Sequence, residues 1–176
     1  VSVPTLSTYP TLTLYKVDNG VETLVDYKTL TSSGSYTFTL PQQNSTYKLV
    51  PSLPVQGLTT ADYSILLGEI LNINTPNNTV SGLVMTGTKQ WKAADFNRNG
   101  IIDLGDAYLL MAHIVNFRTS NQVLWFDATS YDSINKTNFG SVSPLTFFTI
   151  NVVTSNVTQN IKYCILGDVN LSHSSQ

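Results

Sequence analysis

From Asp95 to Asp106 the chain reads Asp-Phe-Asn-Arg-Asn-Gly-Ile-Ile-Asp-Leu-Gly-Asp. Numbered from Asp95, oxygen-bearing side chains stand at the first, third, fifth, ninth and twelfth positions: Asp95, Asn97, Asn99, Asp103 and Asp106. Calcium is a hard cation that takes six to eight oxygens at about 2.3–2.6 Å in a flexible shell. Short carboxylate and amide side chains on a tightly curled backbone supply such oxygens from one side. Gly100 sits where the backbone must turn sharply, Ile101 offers its carbonyl, and Asp103 binds directly or through water. Ile102 is expected to point inward and tie the turn to a core, and Asp106 to close the shell from the first turn of a following helix. The competing reading is an Asn- and Gly-rich surface turn that happens to precede a helix. It requires the oxygen donors, the glycine, the inward apolar residue and the terminal acid all to coincide.

Such a turn needs helices to hold it. Tyr108, Met111, Ala112 and Val115 fall at the spacing of one helical stripe, and Tyr63, Leu66, Leu67 and Ile70 repeat the pattern upstream. Thr59 or Thr60 can cap the earlier helix, with Asp62 in its first turn, where a carboxylate meets the positive helix end. Setting Asp62 against Asp106 aligns Ile65 with Leu109, Leu66 with Leu110, Ile70 with Ile114 and Asn72 with Asn116, an internal duplication offset by 44 residues.

An Asp at the twelfth position, followed by a helix of the Asp106-Ala-Tyr-Leu-Leu-Met-Ala-His-Ile-Val type, resembles a dockerin-type calcium repeat with its EF-hand-like loop. Dockerins carry two such repeats. The segment Gly57-Leu58-Thr59-Thr60-Ala61-Asp62 resembles the second half of another repeat, but Pro51 and Leu53 stand where its upstream ligands belong. The missing half is found near the C-terminal end, where Gly167-Asp168-Val169-Asn170-Leu171-Ser172 places oxygen donors at positions one, three and five from Asp168. The expectation is a split second site in which Asp168, Asn170 and Ser172 join Thr59 and Asp62. His173 stands where the loop glycine would be, and the competing reading is a frayed polar tail. Asn170 also begins an Asn-x-Ser/Thr sequence, and a glycosylated amide would not ligate a metal.

The first fifty residues read as strands. Thr11–Val17 alternates with period two, Asp18-Asn19-Gly20 supplies the positive φ angles of a tight hairpin, and Glu22–Leu30, Ser35–Leu40 and Tyr47–Val50 continue the pattern. Further strands are expected at Val123–Phe126, Leu145–Val153 and Ile161–Leu166. The fold class is therefore α+β: an N-terminal antiparallel β-sandwich over residues 1–54, of Ig-like or prealbumin-like type, and a two-helix calcium-binding region with a strand-rich insertion over 55–176. The combination resembles units of large bacterial surface proteins that join a carboxypeptidase-regulatory-like or Cna-B-like sandwich to a dockerin-like region. That resemblance implies calcium and an extracellular, cell-surface setting.

Composition narrows the function classes. Charged residues make up 11% of the chain, hydrophobic ones 41%, and the net charge is -2. Disordered chains pair low hydrophobicity with high charge, so this one is expected to fold. No basic cluster suggests nucleic acid, and no apolar run reaches the roughly 18 residues of a membrane span. The single cysteine, Cys164, lies in an apolar run and reads as an inert buried thiol. Sequons occur at Asn44, Asn77, Asn135, Asn156 and Asn170, candidates for glycosylation in a secreted protein. His113 reads as a surface residue on the exposed or edge side of the second helix and His173 as part of the tail, and the carboxylates Asp127 and Asp132 read as a strand end and a turn rather than a hydrolytic pair. The chain is not expected to be an enzyme. A calcium-stabilised structural subunit of an extracellular filament, appendage or adhesin is expected, its partners other copies of itself or other surface proteins. It would assemble by exchange of the extended segment Val1–Tyr9. A module docking a cohesin-like receptor, and a carbohydrate-binding adhesin using Trp91 and Trp125, are the alternatives.

Overall fold

The structure, a computed structural model, describes residues 9–31, 35–41, 44–53, 58–71, 85, 89–116, 123–153 and 157–171. In chain order the elements are β1 (Thr11–Asp18), β2 (Val21–Thr29), β3 (Ser45–Ser52), α1 (Thr60–Ile70), α2 (Gln90–Ala94), α3 (Leu104–Ile114), β4 (Val123–Asp127), α4 (Ala128–Ser133), β5 (Phe148–Val152) and β6 (Ile161–Ile165). Helices and antiparallel sheets occur together, as an α+β chain requires. The chain divides into two compact units, residues 1–54 with 145–160, and 55–144 with 161–176. The segment Leu145–Asn160, which holds β5, thus belongs with the N-terminal unit, whereas the sequence pattern divides the chain once, at residue 54.

The first unit is a four-stranded antiparallel sheet in the order β2-β1-β3-β5. Asn19 (φ 50°) and Gly20 (φ 81°) both adopt the left-handed conformation that the β1–β2 hairpin needs. Alternation sends Leu12 and Leu14 to one face, in register with Pro51 and Leu49, and Leu49 in turn faces Phe148. These residues and Tyr47 are buried. On the other face Lys48 pairs with Glu22 at 2.7 Å and lies over the Phe147 ring. A register shift between Leu14 and Tyr15 bulges β2. Ser35–Leu40 alternates in burial, yet it forms no ladder; Lys28 reaches it through the Thr37 carbonyl and the Phe38 ring. Among the described residues the strands of this unit make one four-stranded sheet.

In the second unit, helices α1 and α3 pack together, and β4 pairs antiparallel with β6 from Val123↔Ile165 to Asp127↔Ile161. Their core gathers Leu66, Phe96, Ala107, Leu110, Phe126, Tyr131, Ile134, Cys164, Leu166 and Val169. Helix α3 buries Ala107, Leu110 and Ala112, while Tyr108 and Val115, expected on the buried stripe, are exposed. The helix carries two apolar stripes, and the one with smaller side chains permits the closer approach. No described helix is long and apolar enough to cross a membrane.

Candidate metal centre

The turn before α3 is built from its own short side chains. Asn97 Oδ1 accepts the Asn99 amide at 2.9 Å, and Asn99 Oδ1 accepts the Ile101 amide at 2.8 Å. Each asparagine thereby curls the backbone around itself, which is why Asn and Asp suit such turns. Arg98 (φ 60°) and Gly100 (φ 81°) take the left-handed region that the curl demands. Asp103 caps α3 by accepting from Gly105 N at 2.7 Å. Asp106 completes the capping box through Asp103 N and also accepts from Asn97 N, both at 3.0 Å. One buried carboxylate therefore bridges the start and the end of the turn. Ile102 packs against the core as expected, and the Ile101 side chain is exposed.

Asp95 opens the turn and is 1% exposed. Its Oδ2 accepts from Gly100 N at 3.1 Å, and its Oδ1 is buried without any hydrogen-bond partner. A buried carboxylate oxygen left unpaired is costly, and native structures rarely keep one without a ligand, ion or water. Burial pushes the carboxyl groups of Asp95 and Asp106 above the usual carboxylate range, against the opposing pull of their backbone hydrogen bonds; the charge of Asp95 adds to the rise at Asp106. A cation between these groups would relieve the strain of their ionised forms.

The second set of expected ligands also comes together in part. Asp62 is buried, and its Oδ2 accepts from Thr59 N at 2.9 Å and Thr59 Oγ1 at 3.0 Å. Its Oδ1 accepts from Asn170 N at 3.0 Å, across 108 residues of sequence. Asp106 makes the same pair of contacts with Asp103 N and Asn97 N. The likeness extends along the backbone. Leu171 N donates to Asp168 O and is paired by Arg98 N to Asp95 O, and Leu171 has φ 55° where Arg98 has 60°. Val169, like Phe96, follows its aspartate into the core. Asp168 is buried. Ser172 and His173 lie outside the described residues.

Three contacts seat the 167–169 segment, and none was read from the sequence. Gly167 N donates to Ala93 O at 2.8 Å and Gln90 Nε2 to Val169 O at 2.7 Å. Gly167 has φ +90°, and a Cβ there would fall 2.7–2.8 Å from Leu110 and Phe96. A glycine directly before the Asp-x-Asn run was the available signal.

Among the described residues no group of three or more His, Cys, Asp or Glu side chains is gathered to hold a metal by itself. An ion in either turn would draw on amide and main-chain oxygens as well, a donor set that suits calcium rather than zinc. The remaining candidates are placed as follows. Asp127 caps α4 through Ser130 N and Ser130 Oγ, at 2.9 and 2.6 Å, and these bonds hold its carboxyl below the usual range. Trp125 is buried against Tyr163, so it offers no platform for a sugar, and Trp91 lies beneath the Lys136 ammonium. Cys164 is a buried thiol that forms no disulfide. Asn44 and Asn170 are exposed, Asn135 accepts from Thr137 N and Thr137 Oγ1, and Asn77 and Asn156 lie outside the described residues.

Comparison with protein-family models, curated proteins and solved structures gives no match for the chain.

Proposed function

We propose that Asp95, Asn97, Asn99, Ile101, Asp103 and Asp106 bind calcium, and that the protein is a calcium-rigidified structural module of an extracellular filament, appendage or adhesin. The observation that carries the calcium reading is the buried, unpartnered Oδ1 of Asp95 at the mouth of a turn lined by further oxygens. Asp168 and Asn170, joined to Thr59 and Asp62, form a split second site of the same design. Calcium supplies positive charge where buried carboxylates would otherwise repel. The protein's own groups hold the turn ready: Gly100 N orients Asp95, and the two amides on Asp106 fix the closing acid. Calorimetric titration tests this directly, and heat signatures that are the same with and without a chelator would sink it.

Assembly is proposed to occur by exchange of the N-terminal segment, Val1–Tyr9. In its support, β2 is the end strand of the sheet among the described residues and exposes Val21, Leu24 and Tyr27. An exposed apolar edge strand is a template for pairing with another chain. Removal of residues 1–9 should leave a calcium-binding monomer, and unchanged assembly would refute strand exchange.

A second reading has its own support. Leu104, Tyr108 and Val115 form an exposed stripe along α3 beside the exposed Ile101. Such a face suits docking onto a cohesin-like receptor, and a pull-down against cohesin modules separates that role from self-assembly.

A further inference from the structure

The calcium turn does not stand alone on the surface. The segment 134–142 passes over it, and the two backbones meet at a pair of glycines. A Cβ built on Gly140 would lie 2.7 Å from Gly100 Cα, closer than real side chains come, and 3.4 Å from Gly100 O. Gly140 does not have a positive φ. Its need for glycine is therefore steric and not conformational, and an alanine there meets no backbone penalty of its own.

The strap is anchored on both sides of that contact. Lys92, itself 4% exposed, donates its ammonium to Phe139 O at 2.7 Å. Phe139 and Val142 pack against the core. Asn138 fastens the upstream arm, donating Nδ2 to Ser133 O at 2.9 Å and accepting from Asn135 N at 2.8 Å, and its carbonyl accepts from Ser141 N and Val142 N. Gly100, on the other side, is the residue whose amide holds Asp95 Oδ2 and so leaves Asp95 Oδ1 as the unpartnered oxygen.

We propose that the 134–142 strap, acting through the Gly140–Gly100 contact, is a positioning element that sets the calcium affinity of the 95–106 turn. This rests on the calcium reading given above. The strap presses on the glycine that orients the first ligand, so its seating decides whether Asp95 presents its free oxygen to the ion. Outer partners of metal ligands commonly change affinity by about 10- to 100-fold when altered.

The test is calcium titration of the full chain as wild type, Gly140→Ala and Gly140→Ala with Asn138→Ala. Gly140→Ala should weaken calcium binding at the 95–106 turn by about tenfold or more, and should also lower the calcium-free melting temperature, because a backbone must shift to admit the methyl group. Freeing the strap's upstream arm with Asn138→Ala should let the strap, instead of the turn, yield to the new methyl group and recover most of the lost affinity. A mere folding defect would be deepened by the second substitution, so the double variant decides even where the single one folds poorly. Wild type that binds calcium while Gly140→Ala binds equally well overturns the strap's role and leaves the calcium reading standing; so does a double variant no better than the single. Wild type that takes up no calcium overturns both.

Discussion

The two turns that end on Asp106 and on Asp62 make the same contacts from different stretches of chain. In the first, the carboxylate at the helix start reaches an amide nine residues earlier; in the second, it reaches one 108 residues away. Closing a flexible loop costs an entropy that grows with the logarithm of its length, and a twelvefold ratio corresponds to about 2 kcal/mol. The continuous turn meets its smaller cost with its own asparagines. The split turn draws on neighbours: Ala93 O, Gln90 Nε2 and the slot that only Gly167 fits. Identical local chemistry can thus be self-supporting in one place and dependent on the surrounding fold in another.

Replacing the closing acid should have the largest effect. Asp106→Ala strands two amides and removes a ligand, and a loss of roughly 2–4 kcal/mol is expected in urea unfolding without calcium. Calorimetry on the same variant should retain only binding at the split site. Next in size is calcium itself. At a free concentration a hundredfold above the dissociation constant, a single site should add about 2.7 kcal/mol. That increment has a pH dependence with a defined sign. The raised carboxyls of Asp95 and Asp106 keep protons in the folded, calcium-free state that the unfolded chain has already released. Their contribution to calcium-free stability therefore falls as pH rises from the ordinary carboxylate value through their raised values. On the calcium proposal the ion would bind the ionised forms, so its stabilising increment should grow across the same window. Melting curves with calcium and with chelator should diverge as pH climbs, and curves that converge would contradict the assignment.

Gln90→Ala sharpens the contrast between the turns. It leaves the Val169 carbonyl without its buried donor, at a cost of about 1–2 kcal/mol, and should weaken the split site while the 95–106 turn keeps its affinity. Thr59→Ala is expected to have the smallest effect, about 1 kcal/mol for a lost helix cap, again confined to the Asp62 side. Equal losses at both sites in either variant would show that the two turns are not independently supported.

What was legible in the sequence was local. The 95–106 spacing, the cap at Thr59 or Thr60 and the Asn19-Gly20 hairpin depend on residues close to each other in the chain, and their side chains specify their own backbone. The stretch Leu145–Val153 was legible as a strand but not as part of the first unit, because the β3–β5 pairing is a contact across about a hundred residues. Ser35–Leu40 has clean alternation and no ladder, since period two reports a half-buried extended chain and not a partner. On α3, both stripes are apolar, and only packing against α1 decided that Ala107 and Leu110 go inside while Tyr108 stays out. Lys92 and the strap over Gly100 left no periodic trace at all. The link from Asp168 and Asn170 to Asp62 was suggested only because each half looked incomplete.

The assignment of β5 to the N-terminal sheet has a consequence for synthesis on the ribosome. Strands β1 to β3 precede the whole second unit in the chain, but the outer flank of β3 is closed only by Phe148–Val152. While the residues between β3 and β5 are being made, that flank carries unmet backbone groups beside the apolar Tyr47 and Leu49. The nascent chain must therefore keep an open sheet from joining its neighbours until nearly the whole second unit has been made, and delay in that interval is when stray pairing between chains would begin.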